Sequence, residues 1–181
     1  MHKTATNSLN KALLFLGINS ANWRSPRQAR QIWKEMQFQG VSPAIEEHAA
    51  LCDLPITVLY KKLDKAYPNS KFILTVRNEY KWLESVRKHW TPEHNPFRAS
   101  WDEDCFTHWI HEVVYGQREF NSELFLSVYR RHNAEVKEYF KNRPNDLLIM
   151  DMDAGAGWKE LCNFLGITVP KESYPIEFVT K

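Results

Sequence analysis

Two rhythms of apolar residues divide the chain. From about residue 8 to residue 67, apolar side chains return every three or four positions, the spacing of helices with one buried stripe. Leu9, Ala12, Leu13, Leu14 and Leu16 form the first group, a helix from about Ser8 to Leu16 that Gly17 stops. Ser25-Pro26 opens a second helix, which carries Ile32, Trp33 and Met36 as far as Gly40. Ser42-Pro43 repeats the signal for a short helix through Ala50. Asp53-Leu54-Pro55 begins another, bearing Val58, Leu59 and Leu63 and ending at Tyr67-Pro68-Asn69.

The period then changes. Residues 71–77, KFILTVR, are a short run rich in apolar and β-branched residues between turn formers, which predicts a parallel strand covered on both faces. Asn78 caps a helix with Trp82, Leu83 and Val86, and residues 90–100 read as a loop. Helical stretches follow at about 101–115 and 121–141, separated by Gly116. Residues 146–151, DLLIMD, predict a second buried strand, and Gly157-Trp158 starts a last helix that Gly166 stops. Strands alternating with helices predict an α/β fold, a parallel sheet flanked by helices, with residues 1–181 as a single domain. Two strands make a thin sheet.

Composition narrows the function classes. A net charge of +2 over 181 residues argues against a broad nucleic-acid surface, so an anionic ligand must be held by local arrangement. Three cysteines, Cys52, Cys105 and Cys162, are odd in number and lack metal spacing, which fits a reduced, cytoplasmic chain without a metal site. The polar start lacks a signal-peptide core, and no run approaches the ~18 apolar residues of a membrane span. Aromatic residues cluster between Trp82 and Tyr115. Trp101, Phe106, Trp109 and Val113 have the spacing of a core stripe, while Trp90 and Phe97 are the better candidates for a pocket or lid.

Candidate chemistry lies first at residues 1–8, MHKTATNS. A Lys among small and hydroxyl residues, opening straight into an apolar helix, brings backbone N–H groups, a helix dipole and an ammonium to one point. This predicts a phosphate or sulfate site. The competing reading is a plain helix start with Asn7 or Ser8 as N-cap and a solvated Lys3. The pattern G-x-x-x-x-G-K-[ST] of ATP-binding loops is absent. Arg77 is the second candidate, at the carboxyl end of KFILTVR, where ligands of open α/β sheets sit. Ser85 lies about two turns into the next helix, where it could face the same ligand.

Together these stretches resemble the sulfotransferase family, whose members use 3′-phosphoadenosine 5′-phosphosulfate as donor. HKTATNSL is similar to the family's 5′-phosphosulfate loop, P-K-[ST]-G-T-[TS], with Ala5 in place of Gly and Asn7 in place of a hydroxyl residue. Arg77 and Ser85 match the family's 3′-phosphate Arg and Ser. YRRHNAEVKEYF, RPNDLLIMD and GWKELCNFLGITVP resemble the C-terminal half of a compact branch. The resemblance implies a P-loop-like fold. Lys3, Thr4, Ala5, Thr6, Asn7 and Ser8 would hold the phosphosulfate, and Arg77 and Ser85 the 3′-phosphate. Lys3 would also act catalytically, on the bridging oxygen. The basic R-K-G element of animal cytosolic members has no clear counterpart here.

The implied reaction moves a sulfuryl group to a small-molecule, carbohydrate or other hydroxyl acceptor, or to an amine, and a hydroxyl needs a general base. Asp53 is the first candidate, because Cys52-Asp53-Leu54-Pro55 precedes Arg77 at about the distance of the base-bearing His-Leu-Pro in family members. His2 and His132 are its rivals, and Asp53 as a simple helix cap is the alternative. Two other functions compete: a P-loop kinase, and a non-catalytic nucleotide-binding or interaction protein derived from a sulfotransferase. A loop of this kind normally follows a strand, for which Met1 leaves no room. The expectation is a chain shortened at its N-terminus, or a gap filled by another segment or a partner chain.

Overall fold

The computed structural model describes residues 1–22, 26–91 and 106–177. Helix α1 spans Thr6–Phe15, two residues earlier than the sequence suggests, and leads into a three-residue strand β1, Ser20–Asn22. Helices α2 (Pro26–Phe38) and α3 (Pro43–Glu46) are followed by strand β2, Ala50–Cys52. Helix α4 (Ile56–Ala66), strand β3 (Phe72–Val76) and helix α5 (Glu79–Trp90) come next. Helices α6 (Phe106–Tyr115) and α7 (Ser122–Phe140), strand β4 (Leu147–Asp151) and helix α8 (Trp158–Leu165) complete the order. Residues 101–105 of the expected helix, and Phe97 and Trp101 with them, lie outside the described residues.

Every strand pair is parallel. β1 pairs with β2 in the register Ser20↔Ala50 to Asn22↔Cys52, and β3 pairs with β4 from Phe72↔Leu147 to Val76↔Asp151. Among the described residues these are two separate two-stranded sheets. The short helix expected through Ala50 is corrected. It stops at Glu46, and Ala50 begins β2, whose three residues are too few to show a strand period. The burial expected for DLLIMD is corrected too. Ile149 is 43% exposed, on the face of β4 opposite the fully buried Met150.

The two sheets share a layer. Cys52 of β2 and Met150 of β4 enter the same apolar cluster as Leu9 and Leu13 of α1 and Leu161 of α8, with Ile73 of β3 packed against it. On the opposite face, Leu51 packs with α2 and α4, and Leu74 packs with Tyr60 of α4 and Phe140 of α7. Helices α5, α6 and α7 build a further cluster around the fully buried Trp82, which stacks on Tyr129 at 4.2 Å. The aromatic stretch mostly serves this packing. Trp109 meets Trp33 edge-on at 5.3 Å, and Tyr115 stacks on Phe125 at 3.6 Å. Among the described residues no helix is long and apolar enough to cross a membrane.

Candidate active site

Residues 1–5 form a tight loop on the amino end of α1, held from inside. Thr4 is fully buried, and its hydroxyl meets the Thr75 hydroxyl of β3 at 2.7 Å and donates to the Met1 carbonyl at 2.5 Å. The Trp82 indole N–H donates to the His2 carbonyl at 3.1 Å. The loop is therefore anchored through side chains of β3 and α5. Lys3 and Ala5 both adopt left-handed backbone, with φ of 59° and 64°. At Ala5 this is the conformation that glycine adopts freely, and an L residue there costs about 1–2 kcal/mol.

Ala5 occupies the N-cap position of α1, which has no side-chain cap, so the reading with Asn7 or Ser8 as cap is replaced. The first hydrogen bond of the helix is Leu9 N–H to Ala5 O at 3.0 Å. The Ala5, Thr6, Asn7 and Ser8 N–H groups precede it and converge at the positive end of the dipole. Opposite them lies a cavity of about 1030 Å³, lined by Lys3, Ala5, Thr6, Asn7, Ser8, Asp53, Arg77 and Ser85. Thr4 is the one expected contact that does not line it, because its hydroxyl faces the core.

Arg77 follows β3 directly. The Tyr129 hydroxyl bridges its backbone, accepting from its N–H at 2.9 Å and donating to its carbonyl at 3.0 Å. Its guanidinium donates to the Lys3 carbonyl at 3.3 Å, so the two expected anion-binding residues are tied together. Asp153 was missed by sequence reasoning. Its carboxylate lies 3.6 Å from the Arg77 guanidinium, accepts from the Asn78 N–H at 2.8 Å and meets the Lys81 ammonium at 3.2 Å. Burial pushes this carboxyl up, but the Asn78 N–H, Lys81 and Arg77 prevail and hold it below the usual range. Its available signal was position: it sits two residues beyond the carboxyl end of β4. Asn78 caps α5 as expected, accepting from the Tyr80 and Lys81 N–H groups.

Asp53 reaches the loop from the end of β2. Its carboxylate accepts from the Thr6 hydroxyl at 3.2 Å and from the Leu54 N–H at 2.9 Å. Its side chain does not cap α4, whose N-cap is Pro55. His2 is buried, and its ring meets the Trp90 indole N–H at 3.2 Å and the Tyr115 hydroxyl at 3.0 Å. Burial, with His111 and the terminal ammonium nearby, holds it well below the ordinary imidazole range and hence neutral. Trp90, expected in a pocket, is instead the donor that fixes this ring. His132 lines a different cavity, between the two sheets, where burial lowers its pKa to about 3.

Sequence reasoning also missed the C-terminal segment. Tyr174 to Glu177 lie along the cavity, the Glu177 N–H donates to the Ser8 hydroxyl at 2.9 Å, and Glu177 pairs with Lys11. The cavity wall carries Lys3, Arg77, Lys81 and Lys88 against Asp53, Glu84, Asp153 and Glu177. Opposite charges balance there, so the wall has no general basic field, and the features on it suited to an anion are the helix end and Lys3 at one side.

A family model described as a sulfotransferase domain matches residues 1–178. A curated relative, Ava biosynthesis cluster protein M of Aspergillus versicolor, is 24% identical over 206 residues, covering 96% of this chain and 76% of its own length.

Proposed function

The chain belongs to the sulfotransferase family, and we propose that it transfers a sulfuryl group from 3′-phosphoadenosine 5′-phosphosulfate to a hydroxyl acceptor. One observation carries this reading: the α1 N-terminus, Lys3, Arg77, Ser85 and Asp53 surround one cavity. The N–H groups of residues 5–8 bind the 5′-phosphosulfate, and Arg77 with Ser85 binds the 3′-phosphate. Arg77 suits that role because its planar guanidinium can grip phosphate with two parallel bonds.

In the transfer, the acceptor oxygen forms a bond to sulfur as the bond from sulfur to the bridging oxygen breaks. The electron pair of the broken bond stays on the 5′-phosphate, and Lys3 stabilises the charge that grows there. The acceptor proton goes to Asp53, whose carboxylate the Thr6 hydroxyl and the Leu54 N–H orient beside the loop. Positioning and charge stabilisation supply most of the acceleration, as in phosphoryl transfer.

The test follows label from ³⁵S-labelled donor into a panel of alcohols, phenols and sugars. Labelled product, with turnover lower by about 10²–10³ in Lys3→Ala and donor affinity nearly kept, supports the reading. Product formed equally well by Lys3→Ala removes Lys3 from the mechanism. The left-handed Ala5 favours a second reading, a nucleotide-binding protein without transfer. Donor binding with no product from any acceptor class would support it.

A further inference from the structure

Arg77 is held from behind by the core. It lies one residue beyond the last ladder pair of β3 and β4, Val76↔Asp151, and one residue before the Asn78 cap of α5. Its peptide groups therefore fall at a junction that neither the ladder nor the helix serves. The Tyr129 hydroxyl of α7 meets both, accepting from the Arg77 N–H at 2.9 Å and donating to the Arg77 carbonyl at 3.0 Å. Tyr129 is 2% exposed, and burial raises its pKa above the ordinary tyrosine range, so the proton it donates stays in place at neutral pH.

The same side chain is tied to the other half of the site. Its ring stacks on Trp82 at 4.2 Å, and the Trp82 indole N–H donates to the His2 carbonyl at 3.1 Å, one residue ahead of Lys3. Both rings belong to the close-packed cluster of α5, α6 and α7, so a stiff line of contacts runs through the core from the Lys3 loop to Arg77. The direct link, from the Arg77 guanidinium to the Lys3 carbonyl at 3.3 Å, uses the group that a phosphate would engage. The buried link leaves that group free. Asp153 steadies the guanidinium and the Asn78 N–H, whereas Tyr129 fixes the Arg77 peptide groups themselves.

We propose that Tyr129 is a positioning residue of the donor site, a role that rests on the donor reading of this cavity. Through the Arg77 backbone and the Trp82 stack it sets the distance from the Lys3 loop to Arg77. With that distance it sets the preference for a phosphate on the 3′ rather than the 2′ oxygen of the ribose. The two isomers carry the same base and the same number of phosphates, so charge alone does not separate them. Position does, because a guanidinium grips phosphate through parallel bonds in a fixed plane. A looser backbone anchor costs the matched isomer and spares the mismatched one.

The test is calorimetry on the unmodified protein and Tyr129→Phe with 3′-phosphoadenosine 5′-phosphate, its 2′-phosphate isomer and adenosine 5′-phosphate. Phenylalanine keeps the ring that stacks on Trp82 and removes the hydroxyl alone. The expected result is about a tenfold loss for the 3′-phosphate ligand, with the other two changed by less than about twofold. Tyr139→Phe, which removes from the same helix a hydroxyl bonded to Asp64, should leave all three affinities unchanged. An unchanged ratio between the isomers in Tyr129→Phe, an equal loss on all three ligands, or the same change in Tyr139→Phe overturns the role of Tyr129. If the unmodified protein favours the 3′-phosphate ligand over adenosine 5′-phosphate but not over the isomer, the proposal alone fails. If it does not favour that ligand over adenosine 5′-phosphate, the donor reading fails and the proposal with it. Amide exchange of the unmodified protein needs no variant. The Arg77 amide should exchange as slowly as those of β3, and fast exchange there would show that the hydroxyl does not hold it and refute the proposal.

Discussion

Replacing Arg77 with Ala separates the two halves of donor recognition. The Arg77 side chain is 26% exposed, touching the Lys3 carbonyl at 3.3 Å and the Asp153 carboxylate at 3.6 Å. Both contacts are long and partly solvated, so their loss costs stability only about 1 kcal/mol or less, roughly 2–4 °C in melting temperature for a domain of this size. Its contact with the 3′-phosphate would be charge-assisted, worth about 1.5–3 kcal/mol, or roughly ten- to a hundredfold in affinity. Calorimetry on parent and variant, with 3′-phosphoadenosine 5′-phosphate and with adenosine 5′-phosphate, reads the difference. The expected outcome is a loss of that size for the first ligand and little change for the second. Ser85→Ala should follow the same pattern at about 1.5 kcal/mol, the low end for a hydrogen bond donated to a charged group. An equal loss on both ligands would mean that Arg77 acts only through Lys3, and the 3′-phosphate assignment would be wrong.

Three further outcomes are expected. Asp53→Asn should lower kcat about 10²–10⁴-fold with KM for the donor nearly unchanged, the span of a lost general base; unchanged kcat excludes Asp53. Ala5→Gly should leave stability equal or up to about 1 kcal/mol higher, because relief of left-handed strain exceeds or balances the added freedom of the unfolded chain; a clear loss on chemical denaturation would contradict this. His132, with its pKa lowered from 6.5 to about 3, takes up a proton more readily unfolded than folded. Stability should therefore fall as pH drops below about 6.5, by up to ~1.4 kcal/mol per unit, and level off near pH 3. His132→Gln should make that limb shallower, the buried His2 supplying a further part of it, and an unchanged acid profile would place the sensitivity elsewhere.

Legibility in the sequence tracked local signals. KFILTVR and DLLIMD carry enough consecutive apolar residues to identify β3 and β4, and Asn78 marks the start of α5 through its own cap bonds. Ser20–Asn22 and Ala50–Cys52 are too short and too mixed for any period, and their strand character comes from pairing across thirty residues. The loop residues were legible as the start of a helix whose N–H groups open on a cavity, because backbone and dipole chemistry depend on chain position. The direction of Thr4 was not, since it is fixed by Thr75 in a strand 71 residues away. Asp153 was signalled only by its place two residues past β4, and the segment ending at Glu177 reaches the site through the tertiary fold, so nothing in its own neighbourhood announced it.

The central claim is that this cavity takes an adenosine nucleotide carrying both a 3′-phosphate and a 5′-phosphosulfate. Its most direct test is calorimetric titration of the unmodified protein with 3′-phosphoadenosine 5′-phosphate, beside ATP with Mg²⁺. The account predicts micromolar binding of the first, within the range of ordinary enzyme substrates, and no comparable binding of the second. Preference for ATP with Mg²⁺, or no heat from either nucleotide, would contradict it.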